Sequence, residues 1–233
     1  MIKSKICIIG PGVVGQATGK VFAAKGFKTA FIGRTREKVD KLVKLRYQAY
    51  TKEDLVNGGY DFDITFFTVP TPTIDGKIDL TAINEASIDL GKRLRLIKNY
   101  HLAVVKSTVP PGTTESLVIK NLEKYSGKKV GKDFGVCMNP EYLREEHAFD
   151  DTLNAWVVVI GEYDKRSGDL LESVYSSFGC PVIRVRIMEA EMQKYIHNLF
   201  NAVKITYFNE MREVAKKVGL DADRMFKITA ISA

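Results

Sequence analysis

The chain has 233 residues, 45% hydrophobic and 27% charged, a balance that supports a packed core and excludes a disordered chain. Its formal charge of +7 suits anionic small ligands, but the Lys and Arg residues are scattered and form no basic tract interleaved with aromatics, so no nucleic-acid partner is expected. Cys7, Cys137 and Cys180 are too few and too widely spaced for a disulfide framework or a CxxC site, and His101, His147 and His197 lack metal-ligand spacing. No metal is expected, and a reducing cytoplasm fits best. The opening residues read as a strand rather than a signal peptide, and no apolar run is long enough to span a bilayer, so no membrane partner is expected either.

In chain order, short β-branched runs alternate with longer amphipathic stretches. Strands are predicted at Lys5–Ile9, Thr29–Ile32, Asp63–Thr68, Leu102–Lys106, Phe134–Met138, Trp156–Ile160 and Val182–Val185. Helices are predicted between them at Val14–Lys25, Thr35–Lys44, Leu80–Leu96 and Thr113–Tyr125. This alternation builds an α/β fold, a doubly wound and mostly parallel sheet with helices on both faces, over residues 1–186. The texture then changes. Glu189 to Val218 contains neither Gly nor Pro and carries apolar residues at helical spacing, which predicts one long helix. Gly219 is a natural stop, and Asp221 can cap a further helix over Ala222–Thr229. Residues 187–233 therefore form a separate long-helix segment. Its apolar positions, among them Met192, Ile196, Leu199, Phe200 and Val203, exceed what one small sheet domain needs, which predicts a homodimer through this helix.

The chemistry begins at Gly10-Pro11-Gly12-Val13-Val14-Gly15, directly after a strand and before a helix. Gly10 permits a tight turn, Gly12 lets backbone approach a pyrophosphate, and Gly15 allows close helix–strand packing. The helix start adds amide donors and a positive dipole end, so a Rossmann-like dinucleotide site is expected. An acidic residue should follow at the end of the second strand to accept from the adenosine ribose. The sequence instead reads Gly33-Arg34-Thr35-Arg36, which removes a carboxylate and supplies guanidinium groups able to take a 2′-phosphate, so NAD and NADP are both open.

Three more segments follow predicted strands: Val69-Pro70-Thr71-Pro72, then Lys106-Ser107-Thr108-Val109-Pro110-Pro111-Gly112-Thr113-Thr114, then Asn139-Pro140-Glu141-Tyr142-Leu143-Arg144-Glu145. The first two place hydroxyls at the carboxyl edge of the sheet, where open α/β folds bind ligands. In the third, Glu141 and Glu145 lie four apart and would face the same way on a helical turn. Glu191, Lys194 and Asn198 share the long helix, and Lys194 and Asn198 are also four apart, an ammonium and a carboxamide aimed together.

This ordered set resembles the UDP-glucose/GDP-mannose dehydrogenase family over essentially the whole chain, through Ala190–Asn198 and Phe208-Asn209-Glu210. The resemblance implies oxidation of the C6 alcohol of a nucleotide sugar, of the UDP-glucose or GDP-mannose type, by two hydride transfers through a cysteine-bound thiohemiacetal and thioester. It implies that Gly10, Gly12, Val13, Val14, Gly15 and Lys38 meet the dinucleotide, with Thr71 and Thr108 near its ribose and nicotinamide end. Thr108 and Glu145 would help position water, Glu141 and Leu143 would line the substrate side, and Lys194 and Asn198 would stabilise the developing oxyanion. Relatives use the long helix as a dimer core.

The sequence also departs from the family. The Gly-Gly-x-Cys-Phe-Pro-Lys-Asp-like segment that carries the family's cysteine is not among these residues, nor is the carboxyl-terminal nucleotide-sugar domain. Asn154-Ala155-Trp156 stands where the family usually has Pro-Asp-Arg, and the Tyr47–Asp54 connection lacks the usual Pro-Gly stretch. Cys137 in a strand and Cys180 before Pro181 read as packed side chains rather than reactive thiols. Three expectations stand side by side: a reduced dehydrogenase performing one alcohol–aldehyde hydride transfer, with Lys194 as the polarising or proton-transfer group; the amino-terminal part of a split enzyme completed by a separate chain; or a silent dinucleotide-binding subunit.

Overall fold

The computed structural model describes residues 4–55 and 61–232 and forms two compact units, Met1–Met192 and Gln193–Ala233. The part of the opening segment before Ser4 lies outside the described residues.

The first unit runs β1 (Lys5–Ile9), α1 (Val13–Ala24), β2 (Lys28–Gly33), α2 (Arg36–Lys44), β3 (Gln48–Thr51), β4 (Ile64–Phe67), the hairpin β5 (Thr73–Ile74) and β6 (Lys77–Ile78), and α3 (Thr81–Leu94). It continues with β7 (His101–Val105), a π-helical stretch Thr114–Ile119 leading into α4 (Lys120–Ser126), and β8 (Phe134–Met138). A 3-10 turn at Glu145–His147, α5 (Ala148–Leu153), β9 (Val158–Glu162), α6 (Lys165–Tyr175), β10 (Val182–Arg186) and the start of α7 (Ile187–Lys217) complete it.

Eight strands form one sheet in the order β10-β9-β8-β7-β4-β1-β2-β3. Every pairing in it is parallel except β8 with β9, so β9 and β10 run against the other six. Successive residues of β1 feed opposite faces. Cys7 and Ile9 join a core with Phe67, Leu90, Val105 and Leu122, whereas Ile6 and Ile8 join one with Phe22, Phe31, Phe66, Leu102 and Leu171. A strand buried on both faces needs apolar residues at both parities, which is why the runs KICII, ITFF and HLAVV do not alternate with polar residues. Each fully buried side chain of this size stabilises the fold by about 1.5–3 kcal/mol.

β3 and the β5–β6 hairpin were not expected from sequence, because four- and two-residue strands carry too little pattern. β9 lies two residues beyond the predicted Trp156–Ile160. Gly161 continues the ladder past the predicted end, and a Cβ there would sit 2.6 Å from the Ala190 methyl under the first turns of α7, so the close approach of that helix requires glycine in the strand. α6 also escaped the sequence reading, although Asp164 caps it by accepting from the Ser167 amide at 2.8 Å.

The second unit is the body of α7 and α8 (Ala222–Ser232). Gly219 takes a φ of +72°, a left-handed stop, and Asp221 accepts from the amides of Asp223 and Arg224 at 3.0 and 3.2 Å, so the expected stop and cap are both present. The Phe208 and Phe226 rings meet edge-on at 4.9 Å, and Arg212 bonds Asp223 at 2.7 Å beside them.

Candidate functional site

Strand order reverses between β1 and β4: from β1 the chain builds outward through β2 and β3, then crosses back to β4, β7 and β8. The carboxyl ends of β1 and β4 thus diverge, opening the crevice where doubly wound sheets take ligands. The glycine loop fills its rim. Gly10 has a φ of +96°, and a Cβ there would come within 2.8 Å of the Thr68 carbonyl oxygen at the end of β4. A Cβ on Gly15 would lie 2.3 Å from the Gly10 carbonyl oxygen and 2.5 Å from Thr68 Oγ1. Thr68 clasps the turn by donating to Gly10 O at 2.9 Å or Ile9 O at 3.0 Å. Gly12 is different in kind, since a Cβ added there meets nothing within 4 Å. The position faces open space. Gly12 is also the N-cap of α1 and offers no capping side chain, so the first amides of that helix keep their donor capacity.

A cleft of about 450 Å³ lies over this cradle, a volume in the range of cofactor sites. The loop after β1 and the start of α1 contribute Gly10, Gly12, Val13 and Val14; the end of β2 and the connection after it contribute Gly33, Arg34 and Thr35, and the first turn of α2 contributes Lys38; Thr71 follows β4, Thr108 follows β7 and Glu141 follows β8. Gly15 packs behind the loop and does not line the cleft. Lys52, Glu85, Lys106 and Ser107 line it as well. Lys52 and Glu85 had no sequence signal, because they reach the cleft from the loop after β3 and from α3 only through the folding of those elements. Of the two guanidinium groups in the Arg34-Thr35-Arg36 run, Arg36 is committed elsewhere. It bonds both oxygens of Asp54 at 2.9 and 2.7 Å, and that guanidinium holds the Asp54 carboxyl down to about 2.

The other end of the cleft is fixed by backbone acceptors. Thr71 Oγ1 donates to the Thr108 carbonyl at 2.6 Å and Ser107 Oγ to the Val69 carbonyl at 2.7 Å, which ties the loops after β4 and β7 together. Lys106 is buried and its Nζ donates to Asn139 Oδ1 at 2.9 Å. The same oxygen accepts from the Tyr175 hydroxyl at 2.6 Å, and Asn139 Nδ2 donates to the Val159 carbonyl at 2.8 Å. This network pins the residue that precedes Pro140 and Glu141. Glu191, fully buried at the start of α7, accepts from the amide of Gly112 and, at 2.8 Å, from that of Thr114, so it anchors the far end of the loop after β7. Burial raises its carboxyl above the usual range despite these donors.

The Glu141–Glu145 segment differs from expectation. Residues 141–144 are not helical, and Glu145 opens the 3-10 turn, so the two carboxylates do not share a helical face. The cause is local: Glu141 bends its carboxylate back to accept from the Leu143 amide at 2.8 Å, and Arg144 is extended and held bidentately by Asp151. Glu141 lines the cleft, while Glu145 is exposed and is not among its lining residues. Cys7 and Cys137 are buried, Cys180 is half-buried, and none of the three lines the cleft; burial pushes the Cys137 thiol far up. Among the described residues no cluster of His, Cys, Asp or Glu could hold a metal ion, and no helix is long and apolar enough to cross a membrane. Lys194 and Asn198 lie one turn apart on α7 in the second unit.

Comparison with known proteins places this arrangement in a group. Residues 48–179 match the NAD binding domain of the UDP-glucose/GDP-mannose dehydrogenase family, and residues 188–232 match its central domain. The chain is 35% identical to a GDP-mannose 6-dehydrogenase of Pseudomonas aeruginosa, over 96% of its own length and 56% of that protein's. It is 34% identical to a UDP-glucose 6-dehydrogenase of Haloferax volcanii, over 94% and 56%. A crystal structure of a ternary complex of the Pseudomonas aeruginosa GDP-mannose dehydrogenase superposes with a TM-score of 0.90 at 34% identity, covering 96% of this chain and 56% of that one. A UDP-glucose dehydrogenase from Pyrobaculum islandicum superposes with a TM-score of 0.87 at 32% identity, covering 97% and 56%. The chain thus spans little more than half the length of these relatives. On the family-model match and the fold, it belongs to the UDP-glucose/GDP-mannose dehydrogenase family.

Proposed function

We propose that this chain is the cofactor-binding part of a dehydrogenase that oxidises the C6 alcohol of a nucleotide sugar, of the UDP-glucose or GDP-mannose type. The observation that carries the reading is the open cradle at Gly12, set over the uncapped start of α1 at the point where strand order reverses. A pyrophosphate fits such a cradle: the space a side chain would occupy is empty, and the amides that would receive the anion have no side-chain cap. A bound nicotinamide dinucleotide would supply the hydride acceptor. In this reading Gly10, Gly12, Val13 and Val14 cradle the diphosphate, with Gly15 fixing the loop from behind. Thr71 and Thr108, tied to each other, shape the nicotinamide end, and Glu141 with Leu143 faces the sugar nucleotide. Lys194 and Asn198 take the oxyanion-stabilising role; their support is residue type, four-residue spacing and the match to the family's central domain.

None of the three cysteines lines the cleft, so the reaction these residues themselves support is one alcohol–aldehyde hydride transfer. Three free thiols suit a reducing cytoplasm. A second copy of the chain is proposed to pack on α7, where Ile196, Leu199, Phe200, Val203, Tyr207 and Val214 recur at helical spacing with exposed side chains.

The test is calorimetric titration with NAD, followed by NADH formation with UDP-glucose and with GDP-mannose. Binding with turnover of one sugar nucleotide supports the whole reading. Binding without turnover restricts the chain to a cofactor-binding role, completed by another polypeptide or silent, and no binding overturns the assignment of the cleft.

A further inference from the structure

The charges around the adenosine end of the cleft carry a finer inference, which rests on the dinucleotide reading above. Four cationic side chains line the cleft, Arg34, Lys38, Lys52 and Lys106, against two carboxylates, Glu85 and Glu141. Two of the four cations have partners within the protein. Lys52 forms an ion pair with Asp89, and Lys106 bonds Asn139. Arg34 and Lys38 form no ion pair among the described residues, and both are exposed. Arg34 lies in the connection between β2 and α2, the segment that meets the adenosine ribose in a doubly wound dinucleotide fold, and Lys38 lies on the first turn of α2.

Among the described residues no carboxylate of the β2–α2 segment lines the cleft. The position at the end of β2 that would hold a ribose-binding carboxylate is Gly33, which lies 3.5 Å from the Pro11 ring as measured from an added Cβ. Asp54 is neutralised by Arg36, and Glu37 on the first turn of α2 is paired with Lys41 and does not line the cleft. A carboxylate at the end of β2 would repel a phosphate on the ribose 2′-oxygen; a guanidinium and an ammonium would instead give it charge-assisted hydrogen bonds.

We propose that Arg34 and Lys38 form a 2′-phosphate site, so that this chain accepts NADP as well as NAD. The test separates the adenosine subsite from turnover by using nucleotide fragments. The full chain is titrated calorimetrically at low salt with adenosine 5′-monophosphate, adenosine 2′,5′-bisphosphate and adenosine 3′,5′-bisphosphate. The 2′,5′-bisphosphate is expected to bind about tenfold or more tighter than the monophosphate, the effect of one or two charge-assisted hydrogen bonds. Arg34→Ala and Lys38→Ala should each reduce this ratio, their combination should bring it near one, and Arg34→Asp should reverse it. Both side chains are exposed, so the variants should fold, which circular dichroism checks. Equal binding of the monophosphate and the 2′,5′-bisphosphate by the wild-type chain overturns the proposal. So does equal binding of the two bisphosphates, which would show attraction to charge alone, or a ratio that survives the double substitution. If no adenosine nucleotide binds, the dinucleotide reading of the cleft fails and takes this site with it, whereas monophosphate binding without preference sinks only the 2′-phosphate site.

Discussion

A methyl group added at Gly12 meets nothing within 4 Å, whereas one added at Gly15 comes within 2.3 Å of the Gly10 carbonyl oxygen. The two positions therefore separate binding from folding. Gly12→Ala should leave the melting temperature within about 2 °C of the wild type while weakening dinucleotide affinity about tenfold or more, because the methyl occupies the diphosphate cradle. Gly15→Ala should cost about 3 kcal/mol of stability or more through overpacking, and should lose affinity as well because the loop must shift. Melting curves and calorimetry on the same samples check both; a destabilised Gly12→Ala chain would contradict the open cradle.

His101 offers a second test at this scale. It is buried between the Phe62 carbonyl and the Thr65 hydroxyl, each 2.9 Å from a ring nitrogen, and burial lowers it to about 4 although the carbonyl acts in the opposite direction. The folded state thus holds a neutral imidazole that the unfolded chain would protonate near its ordinary 6.5. Its contribution to stability is present above that value and is lost as pH falls towards 4, about 2 kcal/mol between pH 7 and pH 5. Urea unfolding at both pH values should show this loss in the wild type and a smaller one in His101→Gln.

The loop from Lys106 to Thr113 is held as an element from both ends, by the Asn139 network at its start and by Glu191 at its finish. Glu191→Ala leaves two amides without their acceptor and should reduce stability by about 2–4 kcal/mol; Glu191→Gln keeps one acceptor oxygen and should cost less. If the loop positions Thr108, both variants should also weaken dinucleotide binding in that order. Unchanged affinity in a folded Glu191→Ala chain would show that the anchor serves the fold alone. The residues of this loop were legible in sequence as a motif following a strand. Its anchoring was not, because Glu191 is distant in sequence and only the packing of α7 brings it to Gly112.

At the scale of the whole molecule, the apolar stripe on α7 sets the expectation. Sedimentation at micromolar concentration should give a dimer of the 26.1 kDa chain, and Leu199→Glu combined with Phe200→Glu should shift it to monomer. A monomeric wild type at high concentration would remove the proposed partner. The stripe spans several turns, and its continuity, more than the exposure of any one residue, is what supports the proposed dimer contact.

The sequence by itself determined the doubly wound sheet, the glycine cradle and the long helix, because periodicity and turn chemistry are local properties that no distant contact has to supply. It also placed Gly33 and Arg34 where an acid was expected. Tertiary structure decided the rest. The reversal of β9 and β10, the continuation of β9 through Gly161, and the arrival of Lys52 and Glu85 at the cleft depend on neighbours far along the chain. The same holds for the electrostatics: in sequence Arg34 and Arg36 read alike as guanidinium groups able to take a 2′-phosphate, yet Asp54 takes Arg36, Lys41 takes Glu37, and Arg34 is left lining the cleft. Which charge is spent inside the protein is a matter of distance, and distances between separate elements are set by the packed core.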